Sequence, residues 1–165
     1  MDPFLSACTG IDALVHAIEA FVSTGHGPLT DPHALEAMRL INGNLVQMIA
    51  NPQDIALREK IMLGSMQAGL AFSNAILGAV HAMSHSLGGF LDLPHGLCNA
   101  VRQRLVEHLI ALKHAVGFHE TLALHGVGSS DIPFLSQHAM DDPCILTNPR
   151  TSSQRDVEVV YGEAL

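Results

Sequence analysis

Asp12 and His16 stand four residues apart in Asp12-Ala13-Leu14-Val15-His16, as do His81 and His85 in His81-Ala82-Met83-Ser84-His85. On a helix that interval puts both side chains on one face, so a carboxylate and an imidazole can grip a single cation. His95, in Pro94-His95-Gly96, stands where the mouth of a helix is expected. Three imidazoles and one carboxylate would form a nitrogen-and-oxygen donor set suited to a borderline divalent metal, iron(II) or zinc. Each feature also has a plainer reading. Asp12 and His16 fit a solvated helix face, His81 and His85 fit core histidines satisfied by backbone carbonyls, and His95 fits a capping or loop histidine. The run from Ile61 to Leu91 holds no Asp, Glu, Lys or Arg, and inside it an imidazole without a partner is costly.

The elements that must carry these residues read as helices. Ile11, Leu14, Val15, Ile18 and Val22 recur at three- and four-residue steps, up to the breaker Gly25-His26-Gly27-Pro28, with Thr9 or Ser6 as the cap. Asp31-Pro32 opens a second helix, through Leu35, Met38, Ile41, Leu45 and Ile49 to Asn51-Pro52. A third begins near Asp54 and leads into the uncharged run, where Gly69 and Gly78 suggest close contacts or a break near Ser73-Asn74. Gly88-Gly89 is expected to close the helix bearing His81 and His85. Further helices are predicted over Val101–Val116, from Asp131-Ile132-Pro133 to Asp141-Asp142-Pro143, and over Thr151–Ala164, where Ser153 and Asp156 have capping spacing. No strand alternation, repeat or low-complexity tract is visible. The reading is a single all-α domain over residues 1–165.

Composition narrows the function classes. The chain is 48% hydrophobic and 15% charged, the opposite of disorder. Eight Lys+Arg against sixteen Asp+Glu give −8, which argues against nucleic acid and anionic membrane as partners. The uncharged run is long enough to span a bilayer, but Gln67, Asn74, His81, His85 and several Ser and Gly favour buried core helices. Cys8, Cys98 and Cys144 are dispersed and odd in number, so a reducing, cytoplasmic setting is expected. The N-terminus has neither the basic start nor the apolar run of a signal peptide. A di-metal carboxylate bundle needs Glu-x-x-His pairs, and no Glu here is followed by His three residues on.

Longer stretches resemble a known family. Thr9-Gly10-Ile11-Asp12-Ala13-Leu14-Val15-His16-Ala17-Ile18-Glu19-Ala20 is similar to the metal-site helix of the iron-containing (group III) alcohol dehydrogenases. Ala71-Phe72-Ser73-Asn74, the segment Gly78 to Gly89, and Pro94-His95-Gly96 resemble its second signature. Asp141-Asp142-Pro143-Cys144 and Asn148-Pro149-Arg150 resemble its C-terminal stretch. The resemblance implies the helical, dehydroquinate synthase-like C-terminal half, with Asp12, His16, His81 and His95 as ligands of Fe2+ or, alternatively, Zn2+. It implies a proton-transfer role for His85 and a substrate pocket lined by Phe72 and Cys144. The implied chemistry is Lewis-acid activation of a small alcohol or aldehyde, with hydride exchanged with NAD or NADP.

Two departures qualify this. The family's α/β nucleotide-binding half, with its glycine-rich phosphate loop, has no counterpart in these residues, and Gly88-Gly89 follows a helix rather than opening one. A segment also reads as missing near Val101–Arg102. The chain alone is therefore expected not to turn over alcohol, to need the nucleotide-binding half as a partner, and to self-associate into a homo-oligomer through an exposed apolar wall. A catalytically inactive helical metal-binding or assembly module is the rival reading.

Overall fold

A computed structural model describes residues 2–91, 111–112, 114–117 and 121–165. His95, Cys98, the 101–102 junction and most of the helix predicted over 101–116 lie outside them. Among the described residues all regular structure is helical, in the order α1 (Pro3–Val22), α2 (Asp31–Ala50), α3 (Ile55–Ala75), α4 (Ala79–Leu91), α5 (Ile132–Asp141) and α6 (Gln154–Ala164). Single turns of 3₁₀ helix occur at Ala123–His125 and Pro143–Thr147. The helices α1, α2 and α3 pack on one another, while α4 packs on α5 and α5 on α6. One aliphatic core runs through both groups, from Ile11, Leu14 and Val15 through Ile41, Leu45 and Leu87 to Leu135 and Tyr161.

Short residues let α1 and α2 approach closely: a β-carbon at Gly10 would collide with the Leu45 side chain. The helix α1 begins well before the predicted cap. Asp2 Oδ2 accepts from the Leu5 N–H, whereas the Thr9 hydroxyl donates back to the Leu5 carbonyl inside the helix. The α3 start matches the sequence, with Asp54 Oδ1 accepting from Leu57 N–H at 3.1 Å. At α6 the expected capping box forms between Ser153 and Asp156.

In the uncharged run one expectation is met and another needs correction. The break falls next to Ser73-Asn74, where α3 ends at Ala75. The chain turns at Ile76, and the axes of α3 and α4 meet at 103° rather than forming one straight span. Ile76 has φ 63° and ψ −169°, a region ordinarily left to glycine. Gly88 and Gly89, by contrast, do not end α4, which continues to Leu91. The left-handed backbone that would stop it occurs, among the described glycines, only at Gly117 and Gly126, and Leu91 packs against the core.

The helix α3 also presents an apolar wall. Ile55, Met62, Leu63, Met66 and Leu70 of α3 are exposed. By length and hydropathy α1 could also cross a membrane, but most of it is buried inside the protein.

Candidate metal centre

The centre forms where one face of α1 meets the first turn of α4. Asp12 and His16 lie on that face with Glu19 one turn further on, and the 103° kink turns the N-terminal end of α4 towards them. Asp12, His16 and His81 each bring one donor atom into a cluster spanning no more than 4.8 Å. Asp12 Oδ1 lies 3.6 Å from His81 Nε2, and Asp12 Oδ2 lies 3.8 Å from His16 Nδ1. Bonds near 2.1 Å to a tetrahedral ion imply donor separations of about 3.4 Å, so small side-chain adjustments would close the set. Three of the four predicted ligands therefore converge, and the fourth, His95, lies outside the described residues.

The surroundings fit a cation. His81 is fully buried, and its ring stacks on that of His16 at 4.2 Å between centroids. Phe72 of α3 covers the other face of His16 at 4.4 Å, so the residue predicted to line the substrate pocket directly walls the centre. Burial opposes charge on His81, yet hydrogen bonds to Asp12 and Glu19, together with their negative charge, outweigh it and raise its pKa. Positive charge is thus favoured on a ring that is itself buried.

Sequence reasoning missed what holds α4 in place. Three N–H groups of its first turn, which no intrahelical carbonyl satisfies, are met by side chains remote in sequence. Ala79 N–H donates to Asn148 Oδ1 at 3.2 Å, Val80 N–H to Glu19 Oε1 at 2.7 Å and His81 N–H to Glu19 Oε2 at 3.2 Å. Gly78 makes the approach feasible, since a β-carbon there would lie 2.8 Å from Glu19 Oε1 and 3.0 Å from Asn148 Oδ1. The available signal was a second acidic residue on the face of α1 that carries Asp12 and His16, two turns beyond Asp12.

One turn along α4, His85 faces a different group. Its Nδ1 lies 2.7 Å from Asp142 Oδ2, and its side chain is 44% exposed. Its ring is 6.0 Å from that of His81, so it borders the centre without joining the convergent trio. Asp142 Oδ1 also accepts from Cys144 N–H at 2.8 Å. Burial raises the Asp142 carboxyl pKa, but the Cys144 N–H and His85 outweigh it and the pKa is lowered. Burial and the neighbouring Asp142 carboxylate, with Glu19 beyond, push the Cys144 thiol up to about 12. The predicted pocket residue Cys144 is therefore a neutral thiol beside His85.

The sequence profile of the C-terminal region of the Fe-containing alcohol dehydrogenases matches residues 6–106. The chain belongs to the iron-containing alcohol dehydrogenase family. It is 36% identical over 196 aligned positions to alcohol dehydrogenase 4 of Saccharomyces cerevisiae, covering 99% of this chain and 51% of that protein. It is 34% identical to the NAD-dependent methanol dehydrogenase of Bacillus methanolicus, covering 98% and 52% respectively. The crystal structure of a 1,3-propanediol oxidoreductase superposes with a TM-score of 0.95 at 32% identity, covering 100% of this chain and 53% of that one. The chain thus spans about half the length of the curated relatives it matches.

Proposed function

We propose that the chain is the metal-binding half of an NAD- or NADP-linked alcohol dehydrogenase, holding Fe2+, or Zn2+ in its place, through Asp12, His16, His81 and His95. The observation that carries this reading is the convergence of Asp12, His16 and His81 between α1 and α4, in a family whose name specifies iron. When bound, the ion supplies a Lewis acid for the oxygen of a small alcohol or aldehyde.

The chain's own side chains do the remaining work. Phe72, stacked on His16, keeps water from that side of the centre. Asp142 accepts from His85 Nδ1 and fixes the ring, so proton exchange falls to His85 Nε2. Cys144, neutral beside Asp142, offers the pocket a small, uncharged wall. The nicotinamide belongs to a nucleotide-binding half, as the NAD-dependent Bacillus relative suggests. The 196 positions aligned with the yeast enzyme exceed this chain's 165 residues, which supports the reading that a segment is skipped. The exposed apolar wall of α3 supports self-association.

The test is reduction of NAD or NADP at high alcohol concentration by the iron(II)-loaded chain, alone and with a nucleotide-binding half added in trans. Turnover only with the added half is expected. Turnover by the chain alone would contradict the proposal, and metal binding without turnover in either arm would favour an inactive module.

A further inference from the structure

We propose that Glu19 is the positioning residue of this centre, fixing the tautomer and aim of His81 while it anchors the helix that carries both His81 and His85. The proposal rests on the reading of His81 as a metal ligand. Glu19 reaches from α1 to α4, 62 positions along the chain, and is 6% exposed.

Its carboxylate is fully engaged. Oε1 accepts from Val80 N–H at 2.7 Å, while Oε2 accepts from His81 N–H at 3.2 Å and meets His81 Nδ1 at 2.6 Å. A carboxylate beside two donating amides can only accept, so Nδ1 must carry the hydrogen. That assignment makes Nε2 the nitrogen turned towards Asp12, 3.6 Å away. A carboxylate on the second nitrogen of a ligating imidazole orients the ring and raises its basicity towards the ion. The same carboxylate also lies at a helix N-terminus, where negative charge is favourable. Gly78 leaves the space that this double attachment needs.

A purely structural cap would serve α4 without selecting a tautomer, and Asn148 provides the control. It accepts from Ala79 N–H at the same helix end, and no hydrogen bond joins it to His81 among those described. The experiment compares the full chain with Glu19→Gln and Asn148→Ala. The histidine tautomers of the metal-free protein are read from ¹⁵N shifts above neutral pH, and Zn2+ affinity is measured by chelator competition. The expected result is His81 as the Nδ1–H tautomer in the unsubstituted chain and in Asn148→Ala. Glu19→Gln should lose that fixed tautomer and weaken Zn2+ binding by roughly 10- to 100-fold, with Asn148→Ala close to the unsubstituted affinity.

An Nε2–H tautomer in the unsubstituted chain would overturn the proposal even if Glu19→Gln failed to fold. Equal losses of affinity in the two variants, tracking stability alone, would overturn it too. Failure of the unsubstituted chain to bind Zn2+ would instead remove the ligand assignment. The tautomer would then still decide the role of Glu19.

Discussion

His81 and His85 stand one turn apart on α4, and each gives Nδ1 to a carboxylate, Glu19 at 2.6 Å and Asp142 at 2.7 Å. His81 has no exposure, its ring stacks on that of His16, and both nearby carboxylates belong to α1. Around His85 nearly half the side chain meets solvent, and the carboxylate comes from the turn before Pro143–Thr147. The same chemical pair thus sits in two settings. A buried, doubly acidic pocket suits a fixed cation, whereas an open histidine held by one carboxylate suits exchange of a proton with its surroundings.

The sharpest way to break this contrast is to remove each imidazole in turn. His81→Ala should lower metal affinity by on the order of 100-fold or more, beyond the loss from removing a supporting residue. His85→Ala should leave metal content after dialysis nearly unchanged. Elemental analysis of both variants checks this, and the reverse pattern would exchange the two roles.

A second prediction concerns the thiol on the open side. The Cys144 pKa is raised to about 12 from 9.0, so its thiolate is scarce at pH 8. Rising nucleophilicity recovers part of the loss, leaving alkylation roughly 30-fold slower than for an ordinary thiol. Removing the Asp142 charge lowers the pKa, so Asp142→Asn should speed labelling of Cys144, followed by mass spectrometry. An unchanged rate would separate Cys144 from the His85 side.

How much of this was visible in the sequence differs between the two sides as well. Gly25-His26-Gly27-Pro28, Asn51-Pro52 and the Ser153/Asp156 spacing punctuate the chain where the helices indeed stop and start, because these signals act over only a few residues. Asp12 and His16 are legible for the same reason. The attachment of Glu19 to His81 and that of Asp142 to His85 join residues 62 and 57 positions apart, and no local pattern encodes them. Gly88-Gly89 misled because glycine permits a helix end without requiring one, and Leu91 found a place in the core. The early start of α1 was obscured by Thr9, whose hydroxyl satisfies carbonyls within the helix.

The kink that aims both histidines yields the smallest predicted effect. Ile76 is 45% exposed and holds φ 63°, a strained position costing about 1–3 kcal/mol for a β-branched residue. Glycine relieves the strain but loses about 0.5–1 kcal/mol in chain entropy. Ile76→Gly should thus be neutral or stabilising by about 1 kcal/mol in thermal unfolding. A marked fall in Tm would show that the Ile76 side chain, rather than the backbone turn, holds the α3–α4 junction.

X-ray absorption at the metal K-edge of the iron(II)- or zinc-loaded chain tests the central claim most directly. The account predicts three imidazole nitrogens and one carboxylate oxygen at roughly 2.0–2.2 Å, with His95→Ala removing one nitrogen from the shell and His85→Ala removing none. A shell of oxygen alone, or one containing sulfur, would contradict it.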